Sequence, residues 1–149
     1  MQKLVVLVIT LVVIGFAVIS AIDMGEKSPV IVAGDVVLDP SLEAAAENID
    51  TLFFVIYDED SPMPMPWGAV KEKLSKPAKS GRFFNFFLTK EKVQLMRENI
   101  PPPKKMRVKV RLDKDGVAGR DQPGDIVGQV EHIVFGADNV NVKLETKVP

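Results

Sequence analysis

The chain has 149 residues, 46% of them hydrophobic, and its 19 basic and 20 acidic side chains leave a formal charge of -1. That balance excludes a nucleic acid chosen by bulk electrostatics, because phosphate binding needs Lys and Arg in excess on one face. The absence of cysteine excludes disulfides, a thiolate metal site and a cysteine nucleophile, so an exported domain must carry its stability in its core.

From Leu4 to Ile22 the sequence LVVLVITLVVIGFAVISAI carries no charge. A helix rising about 1.5 Å per residue would reach roughly 28 Å here, enough to cross the hydrocarbon core of a bilayer. Residues 1–23 therefore read as an uncleaved transmembrane anchor. The competing reading is a signal peptide, whose apolar region is shorter, about 7–15 residues, and ends in small-x-small. Ile19, two before Ala21, fits that pattern poorly. Lys3 on one flank and Asp23 with Glu26 on the other put the N-terminus in the cytoplasm and everything after Ile22 outside it. Residues 24–29 are a polar linker, and 30–149 are long enough for one core.

The exported part reads as strands separated by turn chemistry. Val30–Leu38 is β-branched and interrupted by Gly34-Asp35, which suggests a bulge or bend. Asp39-Pro40-Ser41 then precedes LEAAAEN, a helix of one or two turns with Asp39 or Ser41 as its cap. Thr51–Tyr57 (TLFFVIY) is a strand expected to be buried on both faces, and Arg82–Leu88 (RFFNFFL) another, in which Asn85 would need a hydrogen-bond partner. Thr89–Asn99 could form a second helix. Met106–Leu112 alternates, with Met106, Val108, Val110 and Leu112 inward and Arg107, Lys109 and Arg111 on a face expected to be in water. Ile126–Phe135 and Asn139–Val148, the latter with Val140, Val142 and Leu144 inward, complete the set, with turns at Lys114-Asp115-Gly116 and Gln122-Pro123-Gly124-Asp125. Short strands with turns at roughly ten-residue spacing predict a mainly β fold, an antiparallel β-sandwich of Ig-like or cupredoxin-like type behind one N-terminal transmembrane helix.

Several blocks occur in an order that resembles the C-terminal periplasmic domain of the cytochrome c maturation protein CcmI, the CcmH-type C-terminal domain. They are Gly34 to Leu42, Asp50 to Val55, Pro62 to Pro66 leading into Ala69-Val70, and above all RLDKDGVAGRDQPGDIVG, Arg111 to Gly128. The resemblance implies a single-pass protein of the cytoplasmic (inner) membrane with its domain in the periplasm, near apocytochrome c and the haem-ligation machinery. The family's long form adds a second transmembrane helix and a tetratricopeptide region thought to grip apocytochrome; neither is present here. The family's basic-Ser-Gly turn is replaced by Asp113-Lys114-Asp115-Gly116.

Enzymatic chemistry has little to work with. His132 is the one histidine, in the apolar context Val130-Glu131-His132-Ile133-Val134, and no serine stands in a nucleophile elbow. Asp58, Glu59 and Asp60 lack the ligand spacing of a calcium loop. A blue-copper centre needs two histidines and a cysteine; a thioether-only Cu(I) site could draw on Met63, Met65, Met96 or Met106. More simply, in SPMPMPW the alternating prolines stiffen the chain. In extended backbone Met63 and Met65 would point the same way and, with Trp67, form an adaptable apolar pad for a partner. The expectation is a non-enzymatic assembly factor without cofactor, metal or small-molecule substrate. It would act on apocytochrome c or within a membrane protein complex, the alternative being an accessory subunit of a respiratory complex containing a c-type cytochrome. Met63, Met65 and Trp67 are the expected contact residues.

Overall fold

A computed structural model describes residues 28–149. The expected anchor over 1–23 lies outside the described residues, and among these no helix is long and apolar enough to cross a membrane. The chain is mainly β. In order its strands are β1 (Val30–Leu38), β2 (Thr51–Asp58), β3 (Gly68–Lys73), β4 (Gly81–Thr89), β5 (Gln94–Leu95), β6 (Lys105–Asp113), β7 (Ile126–Val134), β8 (Ala137–Leu144) and β9 (Thr146–Lys147). A 3-10 turn at Pro40–Leu42 leads into the one-turn helix α1, Glu43–Ala46. Asp39 caps this unit, accepting from the Ser41 backbone N–H at 3.0 Å and from its hydroxyl at 2.7 Å.

Two sheets form, one of three strands in the order β4-β1-β8 and one of six in the order β5-β3-β2-β6-β7-β9. They face each other across one core, consistent with a β-sandwich. Leu52, Phe54, Ile56, Val108, Val110 and Leu112 come from the larger sheet, and Ile31, Val36, Leu38, Phe86 and Val142 from the smaller. Phe54 joins them, its ring 5.0 Å from that of Phe86 and 6.0 Å from that of Phe84.

Several expectations are corrected. The sheets are not wholly antiparallel, for β1 and β8 run parallel; β8 arrives from β7, in the other sheet, around the Phe135-Gly136 corner. The predicted strand Asn139–Val148 is broken after Leu144, where the chain crosses back and pairs Thr146 and Lys147 with β7. Irregular register flanks Gly34 rather than centring on Gly34-Asp35. The glycine serves a different need: a Cβ there would run into the carbonyl of Val140 on β8. β4 is an edge strand, not a buried one, so Arg82, Asn85 and Phe87 are exposed. Asn85 still finds partners, donating to the Gly34 carbonyl and the Asp35 carboxylate, each at 3.0 Å. No helix forms over Thr89–Asn99, because Val93 is drawn into the core and Gln94–Leu95 pair with Gly68–Ala69.

Candidate functional site

Strand β2 explains why one face of the larger sheet is left open. Its inward residues Leu52, Phe54 and Ile56 are fully buried, while the opposite set, Phe53, Val55 and Tyr57, passes from buried to half-exposed along the strand. Register places Phe53 between Lys71 and Arg111, Val55 between Ala69 and Lys109, and Tyr57 beside Arg107. Aromatic side chains flanked by cations result. The Arg107 guanidinium carbon stands 4.3 Å from the Tyr57 ring centroid, that of Arg111 5.1 Å from Phe53, and Lys71 Nζ 5.6 Å from Phe53. Face-on cations of this kind stabilise by about 0.5–2 kcal/mol each, more when desolvated.

The basic face does not lie in water as the alternation implied. Arg111 is only 4% exposed, with Asp113 and Asp125 at 1% and 0%. The segment from Lys114 to Asp125 folds back over the sheet and fastens to these groups. Arg111 Nη1 donates to the Gly119 carbonyl at 2.8 Å and to Asp121 at 3.1 Å, and Lys109 pairs with Asp121. Lys71 Nζ donates to the Gly116 carbonyl at 2.6 Å. Asp125 accepts from the backbone N–H groups of Lys114 and Gln122 at 2.9 and 2.7 Å, and Asp113 from that of Gly116 at 2.6 Å. Arg111 Nε and Asp113 Oδ2 lie 2.7 Å apart, but without hydrogen-bond alignment. Burial, and then a hydrogen bond shared with Asp115, push the Asp113 carboxyl above the ordinary range.

Burial also raises Asp121, but hydrogen bonds from Lys109 and Arg111 outweigh it and hold this carboxyl below its ordinary value of 3.8. A depressed carboxylate contributes stability that is present above its unfolded pKa and lost as pH falls through the folded one. Asp121→Asn is therefore expected to cost about 0.5–1 kcal/mol at pH 7, the site being partly solvated. In urea melts the gap should close as pH drops below 3.8. A gap that stays constant with pH would show that the carboxylate charge plays no part.

Between the folded-back segment and β5 runs a groove of about 620 Å³. Val55, Ala69 and Tyr57 line it on the sheet, Pro66, Gln94 and Met96 along one side, and Gly119, Arg120 and Asp121 along the other. A second hollow of about 560 Å³ lies against Asp58, Glu59, Met63, Arg107 and His132. Tyr57 borders both, with the Arg107 guanidinium stacked on its ring. Arg107 Nε is buried with no protein hydrogen-bond partner. The groove's lining of Val55, Pro66, Ala69 and Met96 offers an apolar surface beside the Tyr57–Arg107 pair.

The expected contact residues separate. Met63 and Met65 are 41% and 47% exposed, but Trp67 is 5% exposed and belongs to the core. The loop bends at Pro62, Met63 and Met65 instead of running straight, and Trp67 is captured by the sheet, its backbone N–H donating to the Ile56 carbonyl at 2.7 Å. Met63 lines the smaller hollow and Met96, 44% exposed, lines the larger groove; Met106 is fully buried. His132 sits in a bulge of β7 with φ 59° and is exposed. Its backbone N–H and Nδ1 meet the two carboxylate oxygens of Glu59 at 2.8 and 2.9 Å. The backbone hydrogen bond from His132 foremost, helped by the ring and by Lys105, keeps Glu59 below the usual carboxylate range. Glu59 thereby latches the turn after β2 to the bulge of β7, and among the described residues no group of three or more His, Asp or Glu side chains is placed to hold a metal ion.

Sequence reasoning missed Tyr57, Arg107 and the Arg111 cluster. A usable signal was present: cations alternating along β6, and three aspartates, Asp113, Asp121 and Asp125, within reach of them in a glycine-rich run. No family model, curated protein or solved structure matches the chain.

Proposed function

We propose that the chain is a single-span protein of the inner membrane whose periplasmic β-sandwich, Ig-like or cupredoxin-like in type, is a non-enzymatic assembly factor in cytochrome c maturation. Its work is to hold an extended segment of a client polypeptide, apocytochrome c, close to the membrane. One observation carries this reading, the groove and the neighbouring hollow that share Tyr57 as a wall, with Arg107 stacked on its ring, Met96 lining the groove and Met63 the hollow. Methionines adapt to varied apolar side chains, while the aromatic-cation pair supplies a rigid anchor. The ordered blocks resembling the CcmI C-terminal domain supply the choice of client.

The test is genetic. Removing the gene should lower membrane c-type haem content, and a copy carrying Tyr57→Ala with Arg107→Ala should fail to restore it although the protein accumulates normally. Unchanged c-type haem in the deletion strain would remove the maturation role. Stoichiometric recovery with an assembled, haem-loaded complex would favour the accessory-subunit alternative.

A further inference from the structure

The exposed apolar side chains are concentrated at one end of the domain. β1 and β8 run parallel and β4 antiparallel to them, so Val30, Thr89 and Ala137 share an end. The Gly136 N–H donates to the Ile31 carbonyl at 2.7 Å and the Phe135 N–H to the Lys104 carbonyl at 3.3 Å, which brings the start of β6 to the same end. Since β2 is antiparallel to β6, the loop carrying Met63 and Met65 also lies there. So does Met96, whose N–H donates to the Trp67 carbonyl at 3.1 Å. Among the described residues, Val30, Met63, Met65, Met96, Val134 and Phe135 are exposed here and Phe87 two residues inside; Val117 alone is exposed at the opposite end.

This is also the end at which the chain arrives from Leu4–Ile22. Seven residues, Asp23 to Pro29, separate that apolar stretch from β1. At no more than about 3.6 Å per residue, the steps from Ile22 to Val30 hold Val30 within roughly 29 Å of it. We propose that this end is a membrane-contact surface, with Val30, Val134 and Phe135 resting in the outer interface of the bilayer that holds the anchor. The inference rests on the reading of Leu4–Ile22 as membrane-embedded. Exposed Lys90, Lys104 and Lys105 adjoin the patch, and such side chains lay their stems on apolar surface while their charges reach lipid phosphates. Asp58 and Asp60 lie at the same end, so the apolar side chains lead the contact and salt changes it little. The hollow lined by Met63 then opens at the membrane surface.

The cysteine-free sequence permits single-site labelling of the full chain in phosphatidylcholine–phosphatidylglycerol vesicles. An environment-sensitive fluorophore is placed at Phe135→Cys, Val134→Cys, Val117→Cys and Val12→Cys. Labels at 134 and 135 should be quenched several-fold more by bilayer-borne nitroxides than the label at 117, at a depth of about 5–10 Å into the interface. Deep quenching at 12 with wholly aqueous behaviour at 134 and 135 would overturn the contact surface and leave the anchor standing. An aqueous label at 12 would overturn the anchor reading and this proposal with it.

Discussion

Arg111→Leu is expected to lower the unfolding free energy by about 3–5 kcal/mol at pH 7, the range for deleting one member of a buried ion pair. The loss comes from what remains. Asp113 and Asp125 are 1% and 0% exposed, and without the guanidinium both would be buried charges facing each other. The pH dependence carries the sign. Asp113 is already raised above its ordinary value of 3.8 by burial, and removing Arg111 raises it further. A carboxyl whose folded pKa exceeds the unfolded one penalises folding above the folded value, and the penalty vanishes below the unfolded one. Denaturant melts should therefore show the deficit shrinking as pH falls toward 3.8. Arg111→Lys keeps the charge but not the planar fork that reaches Gly119 and Asp121 together, so it should lie between the two. A deficit independent of pH would contradict the electrostatic account.

Gly34→Ala and Gly128→Ala should each cost more than about 3 kcal/mol, at or beyond the usual upper range for overpacking. At both positions a Cβ would run into backbone of β8, at the carbonyls of Val140 and Lys143 respectively. Side chains can swing aside, but here the obstacle is a strand held by β1 on one side and packed on β7 on the other. Nothing cheap can move. Circular dichroism melts of the two variants should show large drops in midpoint. Near-wild-type stability would mean that β8 does not make these two approaches.

How much of this was legible beforehand depended on whether the cause was local. The bounds of β1 could be read from its β-branched run Val30–Leu38, and the inward set of β6 from its alternation, because both are properties of adjacent residues. Alternation reports the direction of a side chain and not what covers it. Arg111 faced outward as expected, yet is buried because Lys114 to Asp125 return over it, a fold-back fixed by aspartates 2 to 14 positions downstream. Thr89–Asn99 has the charged composition of a surface helix, but pairing of Gln94–Leu95 with Gly68–Ala69 overrode that preference. Trp67 looked continuous with Met63 and Met65 on the assumption of straight backbone; the bends between them send the indole inward and leave the thioethers out. The groove itself needs strands β2, β3, β5 and β6 together, and no window of sequence contains all four.

The most direct test of client holding is titration of fluorescent haem-free apocytochrome c with the full-length protein in lipid nanodiscs, read by anisotropy. Saturable binding is expected, weakened about tenfold or more (~1.4 kcal/mol) by Tyr57→Ala with Arg107→Ala. Val117→Ala, at the opposite end of the domain, should leave it unchanged. Absence of binding, or equal affinity in the wild type and the double variant, would contradict the groove as the site that holds the client.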